Sequence, residues 1–287
     1  MSHDIVEPGP AVTLRAGDTE AALYPAAGGR LGQVVANGRE LLRGPEHAAS
    51  GWAMWGAYAL VPWSNRIPGG TFTFAGETIT VPVNFADGSA IHGLAAQAAW
   101  TVVEATASTA ELEIELECDR YLVTGTQRFA LTADGLDHTV GVSNRAPWRV
   151  PVGLGIHPWF VLGPVRVPAD ETWRGEGPMP DGPPYPVPPE LDLRTKRTPP
   201  LMDRCYCALT DTVAEIGDLT LSWDGPVTDV VVYTGTPGWV CVEPVTMATD
   251  AFRLAESGFD GTPMPGTGIV ALDDGDTLSV TYRYAWA

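Results

Sequence analysis

Five short islands in this chain carry side chains that can move protons: Ser64-Asn65-Arg66-Ile67-Pro68-Gly69-Gly70, Ile91-His92-Gly93, Gly155-Ile156-His157-Pro158-Trp159-Phe160, Leu201-Met202-Asp203 and Val242-Glu243-Pro244. Each sets a polar or ionisable group beside glycine, proline or an aromatic ring. Two imidazoles, two carboxylates and a guanidinium can take a proton from one oxygen of a polyol and give one to another. That chemistry requires no cofactor and no metal, and none is expected.

Each candidate has a competing reading. His157 precedes proline, which biases its backbone to the extended form, and Trp159-Phe160 follow; such aromatic faces suit the apolar face of a pyranose ring, with the imidazole on its hydroxyls. His92 leads into Gly93 after a turn-like Asp87-Gly88-Ser89. Either histidine could instead be structural. Glu243 ends the apolar run Trp239-Val240-Cys241-Val242, so it lies in solvent past the strand or is held at a pocket floor, and Pro244 is expected to stop the strand. Arg66, among apolar neighbours, needs an anion or several acceptors, and an ordinary ion pair would satisfy it. Asp203 is a substrate contact, a turn acid or a partner for Arg204. The other three histidines, His3, His47 and His138, read as solvent-facing or edge residues.

Other site signatures are missing. There is no dinucleotide-binding G-x-G-x-x-G after a strand, no phosphate-binding loop and no G-x-S-x-G, and His92 and His157 are too far apart for a zinc-binding H-E-x-x-H helix. The formal net charge of -18 arises from 17 Lys+Arg against 35 Asp+Glu. A chain this acidic repels nucleic acid and anionic membranes, so neither is an expected partner. Cys118, Cys205, Cys207 and Cys241 have no zinc-knuckle or redox spacing, and read as small hydrophobes in a reducing compartment. The first ten residues have neither a basic region nor an apolar run, and no apolar stretch is long enough to span a bilayer. A cytoplasmic monomer or homodimer is the expectation.

The elements that position these residues read as strands. With 32 glycines and 26 prolines, the chain is cut into short apolar runs. In Gly70-Thr71-Phe72-Thr73-Phe74, a turn at Ala75-Gly76, and Glu77-Thr78-Ile79-Thr80-Val81, alternation places Phe72, Phe74, Ile79 and Val81 on one face of a hairpin. Residues 112–117 alternate aliphatic with glutamate, and similar runs fall at 100–103, 121–131, 136–142, 227–233, 239–242 and 277–284. Only residues 250–257 look helical. Many short strands with frequent turns predict an all-β antiparallel sandwich or barrel. Residues 175–200, rich in proline and charge, read as a long surface loop within one domain spanning 1–287.

In this order, the islands resemble the aldose 1-epimerase (galactose mutarotase) family. Asn65-Arg66-Ile67, with Gly70-Thr71-Phe72 after it, is similar to the family's N-R-I and glycine-aromatic hairpin. His92-Gly93 resembles its H-G, and His157-Pro158-Trp159-Phe160 its H-P-Y-F with Trp in place of Tyr. Asp203 resembles its substrate-binding aspartate, and Glu243-Pro244 with Thr246 its E-P-x-T. The resemblance implies a large antiparallel β-supersandwich with little helix and interconversion of the α and β anomers of a free hexose. Glu243 would be the general base and His157 the general acid, assisted by His92, while Asn65, Arg66, Trp159 and Asp203 would hold the sugar. Proximity of His157 and Glu243 is expected to favour both charged forms. The alternatives are a mutarotase for a 6-phospho or 6-sulfo hexose, a non-catalytic carbohydrate-binding protein, or a polysaccharide lyase or hydrolase. An anionic sugar would call on bases near the proline-rich stretch, namely Arg166, Arg174, Arg194, Lys196 and Arg197.

Overall fold

Period-two alternation becomes two large antiparallel sheets in the computed structural model, which describes residues 5–286. The larger sheet has eleven strands. Its central order is Arg30–Ala36, Ala57–Leu60, Gly155–Val161, Trp239–Val245, Asp229–Tyr233 and Asp203–Leu209. The hairpin strands Val12–Ala16 and Thr19–Tyr24 flank it at one end, and Ala169–Arg174 and Gly182–Pro186 at the other. The second sheet has eight strands and is centred on Tyr121–Leu131, Gly135–Asn144 and Thr277–Trp286. The main core lies between them: Ile156, Val240, Val242, Val230 and Val232 of the larger sheet bury with Leu112, Val123, Val140, Leu221 and Val280 of the smaller. Phe160 and Tyr284 meet across the interlayer at 6.1 Å.

Because strand side chains alternate between faces, burying one residue parity in that core leaves the other on the outer face of the larger sheet. Loop segments cover this second face. Trp52, Tyr58, Leu60, Ile91, Ala96 and Val245 form a separate apolar cluster there.

The expected hairpin forms, with Phe72 opposite Ile79, and Phe72, Ile79 and Val81 are buried. The helical segment is Ala251–Ser257, where Phe252 stacks on Phe72 at 3.9 Å. No helix is long and apolar enough to cross a membrane among the described residues.

Three expectations are corrected. Pro244 does not end its strand, which runs on to Val245 with Pro244 opposite Val230. Part of the proline-rich stretch is not loop: Gly182–Pro186 forms a strand at the sheet edge, where a missing N–H is tolerated. Finally, His138 is neither exposed nor at an edge. It is 0 % exposed, stacks on Phe129 at 4.2 Å and lies 2.8 Å by its Nε2 from Gln127 Oε1. Its run alternates as expected, but the packing of the second sheet makes its face the inner one. His47 is half-buried beside Glu46, and His3 lies outside the described residues.

Candidate active site

Register builds the site. Gly155 pairs with Val245 and Trp159 with Cys241, which brings His157 opposite Glu243. Tyr58 pairs with His157 on one side, and Val231 with Glu243 on the other. One row of side chains across neighbouring strands therefore runs Tyr58, His157, Glu243, Val231, all on the outer face. Two residues along, Trp159, Cys241, Tyr233 and Asp203 form a parallel row through the pairs Tyr233–Cys241 and Asp203–Tyr233. Between Gly155–Val245 and Trp159–Cys241 the ladder lapses, and that gap holds Pro158 and Pro244, neither of which has an N–H to donate. The two prolines thus flank the imidazole and the carboxylate on adjacent strands.

The remaining groups arrive from a small two-stranded sheet. Arg66–Pro68 pairs with Ser89–Ile91, setting Arg66 opposite Ile91 and next to His92. The main-chain N–H of His92 donates to Asn65 O at 2.9 Å. Asn65 and His92 both have left-handed backbones, with φ of 53° and 62°. Gly93 follows with φ 75°, and a Cβ there would lie 2.0 Å from Val61 O. Only glycine lets the chain pass that close while turning His92 inward.

All seven residues singled out from the sequence, Asn65, Arg66, His92, His157, Trp159, Asp203 and Glu243, line one cavity of ≈ 260 Å³. His157 Nε2 lies 3.3 Å from Glu243 Oε1. His92 meets His157 edge to face, with centroids 4.9 Å apart. Arg66 is held by Asp87, whose Oδ2 accepts from Nε at 3.0 Å, and by Asn65 Oδ1 at 3.3 Å. Its ion pair is therefore with Asp87 rather than with a site carboxylate. The Trp159 indole N–H donates to Ala53 O at 2.8 Å, so the ring offers the cavity carbon rather than a donor.

Burial sets the protonation of the centre. Glu243, His92 and His157 are 2 %, 5 % and 7 % exposed. Desolvation pushes the Glu243 carboxyl well above the usual carboxylate range, aided by the nearby Asp203 charge and opposed by Arg66. Desolvation likewise pulls His157 down to about 3 and holds His92 well below the ordinary imidazole range. This reverses the expectation that proximity charges both partners, because the cost of burying two ions exceeds their mutual attraction. Neutral carboxyl plus neutral imidazole holds the same single proton as carboxylate plus imidazolium, so the charged form is one transfer away. Asp203 is also raised by burial, with Arg66 and Arg204 acting against it.

Potential ligand atoms of His92, His157 and Glu243 lie within 4.8 Å of one another. A metal-bound imidazole almost always donates its other N–H to an outer acceptor. Here Nδ1 of both histidines is buried and no other residue among those described accepts from it, so the set fits a resident metal poorly.

Two aromatic residues line the cavity without a motif to mark them. Tyr233 stands edge-on to Trp159 at 5.7 Å, and Phe85 lies beneath the Arg66 guanidinium at 5.6 Å. Tyr233 was accessible in principle, since alternation in its strand puts it on the face of Val231. Phe85 sits in an irregular segment whose contacts no local pattern announces.

A two-sheet β-supersandwich with a polar cavity on the outer face of its larger sheet is the galactose mutarotase-like fold. The chain matches the family model for aldose 1-epimerase over residues 10–285, and it belongs to that family. Its structure is similar to that of an Escherichia coli K12 protein described as a "Putative aldose 1-epimerase", with a TM-score of 0.84 at 22% identity, covering 97% of this chain and 99% of that one. A galactose mutarotase-like protein from Clostridium acetobutylicum superposes with a TM-score of 0.81 at 18% identity, over 96% and 94% of the two chains. In sequence, the Escherichia coli (strain K12) protein YihR is 30% identical over 157 residues, 53% of this chain and 50% of that protein. The chain thus spans about half the length of this curated relative.

Proposed function

We propose that this protein is an aldose 1-epimerase that interconverts the α and β anomers of a free, neutral hexose by opening and reclosing the ring. The observation that carries this reading is the His157–Glu243 contact of 3.3 Å at the wall of a cavity that Asn65, Arg66 and Asp203 and the rings of Phe85, Trp159 and Tyr233 also line. The pair holds one exchangeable proton. In its charged form, Glu243 takes the proton of the C1 hydroxyl while His157 gives one to the ring oxygen. The ring opens, C1–C2 rotates, and the two residues exchange roles as the hydroxyl adds to the other face of the aldehyde. The Arg66 charge opposes the burial that keeps Glu243 protonated, and so favours its ionised form. Neutral His92 contributes a hydrogen bond rather than a charge to the oxygen that becomes negative. Asn65, Arg66 and Asp203 hold hydroxyls, and Trp159 supports the apolar face of the ring.

The charges of the cavity support a neutral sugar over an anionic one. Arg66 is the arginine among the lining residues and it is paired with Asp87, while burial holds His92 and His157 neutral, so the cavity offers an anion little positive charge. Arg166, Arg194 and Lys196 pair with Asp211, Asp170, Asp192 and Glu215 and do not line the cavity.

Polarimetry of freshly dissolved α-D-glucose and α-D-galactose, corrected for the spontaneous rate, tests the reading. Glu243→Gln and His157→Asn should each lower kcat by at least about a hundredfold, and the double variant should lose far less than the product of the two because they act as one relay. A Glu243→Gln protein that keeps wild-type kcat on every aldose it turns over would remove Glu243 as the base. Rates should persist after dialysis against EDTA; recovery of a lost rate on adding a divalent ion would contradict the metal-free scheme.

A further inference from the structure

Arg30 is a buried cation with an unusual set of partners. It is 0 % exposed, and no carboxylate pairs with it among the described residues. Its guanidinium is satisfied by main-chain carbonyls alone: Nε donates to Ala27 O at 2.6 Å, Nη1 to Trp52 O at 2.8 Å and to Trp55 O at 2.9 Å, and Nη2 to Ala96 O at 3.0 Å. Burying a charge with only neutral acceptors is costly, and a purely structural role could be filled by a neutral side chain. The guanidinium lies 4.3 Å from the Trp55 ring and 4.9 Å from the Tyr58 ring.

Leu31 pairs with Ala57, which places Arg30 beside Tyr58, and Tyr58 pairs with His157. Arg30, Tyr58, His157 and Glu243 therefore stand in one row across four adjacent strands. The Tyr58 ring stacks on the imidazole at 4.8 Å and 16°, and its hydroxyl donates to Ala53 O at 3.2 Å. Trp159 and His92 also border the imidazole, but at interplanar angles of 31° and 78°.

An imidazole that shuttles protons usually has its second nitrogen held by a carbonyl or carboxylate, which fixes ring and tautomer. No other residue supplies such a partner to His157 Nδ1 among the described residues, and its own main-chain carbonyl nearby makes no hydrogen bond of good geometry with it. We propose that Arg30 and Tyr58 are positioning residues for His157: the buried guanidinium pins the Tyr58 ring, and that ring's face holds the imidazole with Nε2 aimed at Glu243 and the cavity. This rests on the assignment of His157 as the acid. It explains why the cation is buried beside the site without an anion, since a carboxylate there would compete for the proton that His157 must handle.

The test compares Tyr58→Phe, Tyr58→Leu and Arg30→Lys, using aldose turnover and the ring-nitrogen NMR signals of His157. Tyr58→Phe keeps the stacking face and should hold kcat within about threefold of wild type. Tyr58→Leu removes that face and should lower kcat by about ten- to a hundredfold, the range for a misaimed group, with KM within about twofold. Arg30→Lys, which cannot reproduce the planar fork, should fall between. Wild-type His157 should show one ring tautomer, and Tyr58→Leu an average of two. A folded Tyr58→Leu protein with wild-type kcat and unchanged His157 signals overturns the proposal, as do equal losses in the Phe and Leu variants. If the Leu variant does not fold, the wild-type spectrum decides: a single tautomer supports the proposal, and fast averaging ends it. The spectrum is read without sugar, so absent turnover would sink the epimerase reading alone.

Discussion

At the scale of the residue, the decisive quantity is the state of one proton. His157 and Glu243 are close enough to attract, yet burial of both makes the neutral pair the resting form. The pH dependence follows with a definite sign. His157 is depressed to about 3, so the pair accepts a second proton only in strong acid; Glu243 is raised, so the shared proton leaves only above the usual carboxylate range. We expect kcat/KM to stay within about twofold from pH 6.5 down to pH 5, where an ordinary imidazole would gain its proton. A tenfold fall over that interval would show that His157 titrates normally. Among the binding groups, Arg66→Ala and Asp203→Ala should raise KM by about tenfold or more, because each removes a charged hydrogen-bonding group from the cavity wall. An unchanged KM in steady-state assays would remove that residue from the sugar contacts.

At the scale of the element, the site depends on backbone features that permit close approach. Gly93 turns His92 into the cavity while Leu94 N–H donates to Val61 O at 2.8 Å. A methyl group on Gly93 would meet that same oxygen and force a left-handed backbone on alanine. Gly93→Ala should therefore cost about 3 kcal/mol or more in urea unfolding and displace His92. A loss under about 1 kcal/mol would mean that the turn relaxes easily and is not what sets His92. Sequence spacing showed the His-Gly dipeptide, but its partner Val61 lies some thirty residues away in the chain, so the collision appears only when the strands are in place.

At the scale of the whole molecule, the second sheet carries a buried titratable group that the site does not use. His138 sits fully buried against Phe129, with desolvation holding it down to about 3. A histidine depressed in the folded state stabilises the fold above its unfolded pKa near 6.5, and that stability is lost as pH falls toward the folded value. Between pH 7 and pH 5 this group alone should remove about 2 kcal/mol. His138→Gln should flatten the pH dependence of urea stability by that amount, whatever its effect at pH 7. Equal slopes in the two proteins would show that His138 protonates while folded.

Much of this protein was legible in local pattern. Period-two alternation is a property of a few consecutive residues, so the runs at 112–117, 121–131, 136–142, 227–233, 239–242 and 277–284, the Phe72–Ile79 hairpin and the short helix were legible in the sequence, whereas strands such as Val12–Ala16, Arg30–Ala36 and Gly182–Pro186 were not. The polar islands stand out because glycine, proline and aromatic neighbours punctuate an apolar background, which is also why their family resemblance is visible. Registration and burial are different in kind, because they sum over elements far apart in the chain. Only the assembled sheets place Arg30, Tyr58, His157 and Glu243 in one row, carry a strand through Pro244 and turn His138 inward. The proton inventory of the site belongs with these: proximity of an acid and a base can be guessed from motifs, but the desolvation that keeps both neutral is set by every element packed around them.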